Sequence, residues 1–175
     1  MDEDRIAQVI AQLARTILAD GVLRWAVENP LALVGIKSRG ELLAQRLASE
    51  IERQQGAAKI DVGALDITMY RDDLSSARAI MIPRGTDMDF RLDGRPVILV
   101  DDVLQSGRSV RAALDAVLDF GRPRIIRLAI LVDRGLREFP IAADYVGLKV
   151  DAADREQKIV VHLKPTDDED GVYLT

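Results

Sequence analysis

Five residues with no polar side chain, Pro96-Val97-Ile98-Leu99-Val100, run straight into a pair of aspartates, Asp101-Asp102. A short apolar run of this kind reads as a buried strand. Two carboxylates at its end are too costly to bury unpaired, so they must face a crevice where something donates hydrogen bonds to them. Next comes Gln105-Ser106-Gly107-Arg108-Ser109, a small-residue loop, and then a helix from Ser109 with Val110, Ala113, Leu114, Val117 and Leu118 on one face and Gly121 as its stop. Strand, acidic turn, small-residue loop and helix in that order constrain the chain more than any other feature.

The rest of the sequence repeats the alternation. Ile6, Val9, Ile10, Leu13 and Ile17 recur at helical spacing and fade near Asp20-Gly21. Leu31 to Ile36 is a second buried strand, and Leu43, Leu47 and Ile51 form the stripe of a helix after Gly40. Lys59 to Thr68 alternates as a strand with a phase shift at Gly63-Ala64 that suggests a bulge. Arg124 to Val132, Tyr145 to Val150 and Lys158 to Leu163 are further strands, and Val172-Tyr173-Leu174 is a last apolar run after the acidic, solvated stretch Thr166 to Asp170. Strands alternating with helices imply parallel pairing through right-handed crossovers. The expectation is one α/β domain over residues 1–175, with a mainly parallel central sheet flanked by helices. Between Tyr70 and Pro96 the periodicity disappears, and so long a stretch in a compact domain is expected to be a mobile cover, a hood over a site.

Composition closes off several chemistries. The 175 residues contain no cysteine and one histidine, which excludes thiolate nucleophiles, sulfur-based zinc sites and multi-histidine metal cages. His162 falls opposite Ile159, Val161 and Leu163 in an alternating strand, so it is a surface or edge residue without a chemical role. The start, Met1-Asp2-Glu3-Asp4, is acidic where a secretory signal is basic, and no apolar run spans a bilayer; the expected location is the cytoplasm. A net charge of −5 argues mildly against a protein built to grip nucleic acid.

In an open α/β sheet, ligands bind beyond the carboxyl ends of the strands. Two strands here end in polar sequence: one in Lys37-Ser38-Arg39-Gly40, the other in Asp101-Asp102-Val103-Leu104 and the loop to Ser109. Main-chain N–H groups at the start of a helix suit a phosphate, with the hydroxyls of Ser106 and Ser109 and the charge of Arg108 as additional donors. A pentose 5-phosphate fits the pair, its hydroxyls against Asp101 and Asp102 and its phosphate against residues 105–109. Each of these residues taken singly has a plainer reading: an acidic turn, a serine N-cap, a surface arginine at 39, a loop charge at 71. Trp25 is read as a packing residue.

The segment VILVDDVLQSGRSVRAA, residues 97–113, resembles the phosphoribosyl pyrophosphate (PRPP) motif of type I phosphoribosyltransferases. With LVGIKSRG at 33–40, DITMYRDDLS at 66–75 and LDFGRPRIIRLAILVDRGLREFPIAADYVG at 118–147, the combination resembles the PyrR family, pyrimidine-operon regulators that also act as uracil phosphoribosyltransferases. The resemblance implies a type I phosphoribosyltransferase fold and the following roles. Asp101 and Asp102 hold the ribose hydroxyls, residues 104–109 the 5-phosphate, and Lys37 to Gly40 the pyrophosphate. Residues from Tyr70 through Arg71, Asp72 and Asp73 begin the closing loop, and Val132, Asp133 and Arg134 meet the uracil, largely through the main chain. Mg²⁺ comes with PRPP, bridging pyrophosphate and ribose oxygens, and no residue is assigned as base toward uracil N1. The catalytic set is Arg39, Arg71, Asp101 and Asp102. Relatives associate as dimers or higher. RNA-binding members carry cations where this chain has Leu136, Ala142 and Leu148, and Pro-Thr-Ser where it has Asp151-Ala152-Ala153; Arg137 alone is kept, so mRNA binding is expected to be weak or absent.

Overall fold

The computed structural model describes residues 1–22, 26, 29–56, 60–72, 85–150 and 157–175. Trp25, Lys59, Asp73 with most of the expected hood (73–84), and Asp151 to Ala153 lie outside the described residues.

Five strands form the main sheet: β1 (Ala32–Ile36), β2 (Asp61–Leu65), β3 (Pro96–Leu104), β4 (Ile125–Asp133) and β5 (Tyr145–Lys149). Their order is β2-β1-β3-β4-β5 and every pairing is parallel. Successive side chains of a strand point to opposite faces, and here both faces are covered. Ile98 and Val100 of β3 join Leu33, Ala129 and Leu131 under α1 (Glu3–Asp20) and α2 (Arg39–Gln55). Val97 and Leu99 join Val34, Leu128 and Ile130 under α3 (Arg108–Val117). That is why the 96–100 run has no polar position. Each fully buried Leu or Ile stabilises by about 2 kcal/mol.

The helix ends follow local rules. The Asp2 carboxylate accepts the Arg5 N–H at 3.0 Å to cap α1, which stops at Gly21 in the left-handed region. Gly107, at φ 89°, turns the chain into α3 one residue earlier than the expected start at Ser109. A two-stranded antiparallel unit, β6 (Ile159–His162) and β7 (Gly171–Leu174), lies at the end of the chain. The Met1 amine donates to the Val172 carbonyl at 2.7 Å and ties this hairpin to the start of α1. His162 is half-buried, its ring tilted against Tyr173 at 5.5 Å.

Three expectations are corrected. β3 does not stop at the aspartates; it keeps its ladder to β4 as far as Leu104↔Asp133, so Asp101 and Asp102 are strand residues. β2 is shorter than the 59–68 alternation and pairs with β1 without interruption from Asp61 to Leu65, with no bulge. Its phase shift arises because Gly63 is covered by Met88 and Phe90, while Ala64 bridges to Asp87. The stretch 166–170 is solvated at Thr166, Asp168 and Glu169 as expected, but Asp167 and Asp170 turn inward onto α2.

Candidate active site

The strand order reverses between β1 and β3, because β1 connects outward to β2 while the chain then returns to β3 on its other side. A crevice opens there at the carboxyl ends. It is a hollow of about 460 Å³ walled by Ile36 to Arg39 from the end of β1, Asp66 to Thr68 and Arg71 from the end of β2, and Asp101, Asp102, Val103 and Ser109 from β3 and α3. Two glycines allow its walls to approach. A Cβ on Gly35 would collide with the Gly40 carbonyl, and one on Gly40 would lie 2.5 Å from the carbonyl oxygen of Val100. Without side chains at both positions the first turn of α2 rests directly on β1 and β3, which brings Arg39 beside the aspartates.

Asp101 is buried and Asp102 half-buried. The Asp101 carboxylate accepts the Asp102 N–H at 3.0 Å, and the Asp102 carboxylate accepts the Val103 N–H at 2.8 Å. Burial pushes both carboxyls above their ordinary range. The neighbouring Asp102 charge raises Asp101 further, while the Arg71 charge draws it back; Arg39 does the same for Asp102. Polar hydroxyls or a cation brought by a ligand would relieve this wall.

A second hollow of about 290 Å³ adjoins the first, sharing Asp102, Val103 and Ser109, and runs along the loop Leu104 to Gly107 to the start of α3. Main-chain N–H groups at this helix start suit an anion. The Arg108 N–H donates to Ser106 Oγ at 3.3 Å. The Arg108 side chain is not part of this wall: its guanidinium binds Glu138 and Asp72 and lies over the Phe139 ring at 5.4 Å. To serve as a phosphate charge it would have to leave these partners.

Lys37 lines the first hollow and donates from Nζ to the Gly85 carbonyl at 2.7 Å. Arg39 lines it too, with its guanidinium gripped by Asp167. Arg71 is placed by its neighbour Tyr70, whose hydroxyl binds Asp119 and whose carbonyl accepts from Arg111 at 2.7 Å. Val132 to Arg134 do not line either hollow. Val132 is fully buried in the core, Asp133 accepts from both the Gly135 N–H and the Arg137 guanidinium, and the Arg134 N–H donates to Leu104. They stand beside the loop Leu104 to Gly107 through the β3–β4 ladder.

Sequence reasoning missed Asp66, Ile67 and Thr68 as wall residues. In an all-parallel sheet the residues after β2 open on the same side as those after β1 and β3, which was the available signal. It also missed Asp167. Arg137, the one cation kept from the set of the RNA-binding members, donates to the carbonyls of Leu104, Gln105, Gly135 and Ile141 as well as to Asp133.

A crevice at the strand reversal, with paired aspartates and a helix-start loop side by side, defines a phosphoribosyltransferase fold, and the family model of the phosphoribosyl transferase domain matches residues 2–166. The hypoxanthine phosphoribosyltransferase of Trypanosoma cruzi superposes with a TM-score of 0.70 over 99% of this chain and 93% of its own, at 18% identity. That of Staphylococcus aureus gives 0.56 over 82% and 74%, at 17% identity. These two likenesses concern the fold alone. The bifunctional protein PyrR of Clostridioides difficile is 48% identical over 99% of this chain and 95% of its own. That of a Picosynechococcus species is 48% identical over 93% and 92%. The chain belongs to the PyrR family of phosphoribosyltransferases.

Proposed function

We propose that the chain, as one domain over residues 1–175, is a uracil phosphoribosyltransferase that makes UMP and pyrophosphate from uracil and PRPP. The observation that carries this reading is the meeting of the Asp101–Asp102 wall, the loop 104–109 and the cations Lys37, Arg39 and Arg71 around two adjoining hollows. Ribose hydroxyls lie against the aspartates, the 5-phosphate against main-chain N–H groups of residues 104–109, and the pyrophosphate against Lys37 to Gly40. Val132 to Arg134, beside the 104–107 loop, are read as the uracil side of the site. Breaking the C1–oxygen bond leaves positive charge on the ribose and negative charge on pyrophosphate, while uracil N1 forms the new bond to C1 and gives up its proton. Lys37, Arg39 and Arg71 stabilise the leaving charge, and the aspartates stabilise the ribose.

Among the described residues no group of three or more histidine or carboxylate side chains is placed to hold a metal. The paired carboxyls suit a Mg²⁺ that arrives on PRPP, which would supply further neutralisation of pyrophosphate. No described helix is long and apolar enough to cross a membrane. The reading includes a dimer or higher assembly, supported by the exposed Met69 and Leu118 flanking the Tyr70–Asp119 contact. Sedimentation of the purified chain checks it.

The test of activity is incubation with PRPP, Mg²⁺ and uracil, with hypoxanthine and orotate in parallel. UMP formation lost in Asp101→Asn/Asp102→Asn supports the reading. Turnover only on another base would move the assignment to that base, and ligand binding without turnover on any base would make the site a sensor.

A further inference from the structure

Arg39 and Arg46 stand seven residues apart on α2, two turns, and therefore share a face. Both reach the turn between β6 and β7. Arg39 donates from Nε and Nη2 to the two oxygens of Asp167 at 3.0 and 2.8 Å. Arg46 donates from Nη1 and Nη2 to Asp170 at 2.5 and 3.0 Å. Each carboxylate also accepts a main-chain N–H of the same turn, Leu163 at 2.7 Å on Asp167 and Lys164 at 2.8 Å on Asp170. The two forks are built alike, but only Arg39 lines the crevice that holds Asp101 and Asp102.

That difference separates their roles. Asp170 is buried and its pair with Arg46 docks the hairpin. The Arg39–Asp167 pair differs from it in its carboxylate, 16% exposed against 6% for Asp170, and in the place of its arginine on the crevice wall. What the pair does supply is direction. Asp167 occupies one edge of the guanidinium and leaves Nη1 outside the grip, so the planar fork is fixed rather than free to swing onto Asp102, whose charge it also feels. The Leu163 N–H fixes Asp167 in turn.

We propose that Asp167 is a positioning residue for the proposed reaction: it holds Arg39 so that the guanidinium meets the diphosphate of PRPP and of the pyrophosphate product. The C-terminal hairpin is then part of the site, through Asp167 as well as through Ile159, which lines the second hollow. The inference rests on reading residues 37–40 as the pyrophosphate loop.

The experiment is calorimetric titration of the full chain with magnesium pyrophosphate, together with the KM for PRPP and for uracil. Asp167→Asn is expected to weaken pyrophosphate binding and raise the PRPP KM about tenfold, the low end of what orienting partners contribute. The uracil KM and the thermal midpoint should stay near those of the parent, and Asp167→Glu should recover part of the affinity. Asp170→Asn is expected to lower the thermal midpoint and leave pyrophosphate affinity unchanged. Equal or tighter pyrophosphate binding by Asp167→Asn overturns the role, and so does an equal loss in Asp170→Asn, which would assign the effect to hairpin docking. A parent chain that binds no pyrophosphate would sink the loop reading and this role together.

Discussion

Asp101 ends the most apolar stretch of the chain, and its carboxyl sits beside a second one with little water to share between them. Its position is therefore a cost to the fold that the site requires. The direction with pH follows from linkage. The native chain keeps the Asp101 proton above the ordinary value of 3.8, where the unfolded chain has released it. Stability falls as pH rises from that value toward the raised one, and the full cost is present above it. Asparagine cannot ionise and keeps an oxygen for the Asp102 N–H. Asp101→Asn is expected to melt higher than the parent at neutral pH, with a gap that widens as pH rises from about 4, while UMP formation is lost. Thermal unfolding across a pH series checks this; parallel curves for the two proteins would refute it. Gly40 makes the opposite kind of prediction. A methyl group there meets the Val100 carbonyl, and Gly40→Ala is expected to cost about 1–3 kcal/mol in denaturant melts. It should also weaken PRPP binding, because the turn carrying Arg39 must lift off β3.

At the scale of elements, the loop 133–141 is stitched to the phosphate-side loop. The Ser106 carbonyl accepts the N–H groups of Glu138 and Phe139, both at 3.0 Å, and Arg137 spans Leu104, Gln105, Gly135 and Ile141. Arg137→Gln strands several carbonyls and the Asp133 carboxylate. The expected loss is about 2 kcal/mol of stability, with KM rising for both uracil and PRPP because one residue holds both loops. A rise for one substrate alone would show the loops to be independent. What the sequence made legible here was whatever repeats locally: the stripes of α1, α2 and α3, the apolar half of β3, and the polar segments that follow β1 and β3. What it concealed depends on partners distant in the chain. Arg39 and Asp167 lie 128 residues apart, so nothing local marked Asp167 and Asp170 as the inward members of the otherwise solvated 166–170 stretch. β3 looked finished at Val100 because carboxylates break the apolar pattern, though the main-chain ladder to β4 ignores side-chain polarity. Nothing in the identities of its neighbours announces the carbonyls that Arg137 gathers.

At the scale of the molecule, several arginines among the described residues are committed to carboxylates. Arg39, Arg46, Arg95, Arg108, Arg127 and Arg137 each hold an aspartate or glutamate, and the net charge is −5. These six could carry phosphates only by leaving those partners, and the overall charge supplies no basic excess to draw an RNA backbone in. A protein that neutralises six to ten phosphates loses about 10³- to 10⁵-fold in affinity between 50 and 200 mM salt, whereas about two contacts to a single strand give less than tenfold. Binding of this chain to pyrimidine-operon leader RNA is therefore expected to be weak and to show the shallow dependence. Filter binding across that salt range, with and without UMP, measures it. A submicromolar complex with a steep salt slope would mean that a basic face forms from residues other than these six. The regulatory activity would then stand beside the transferase.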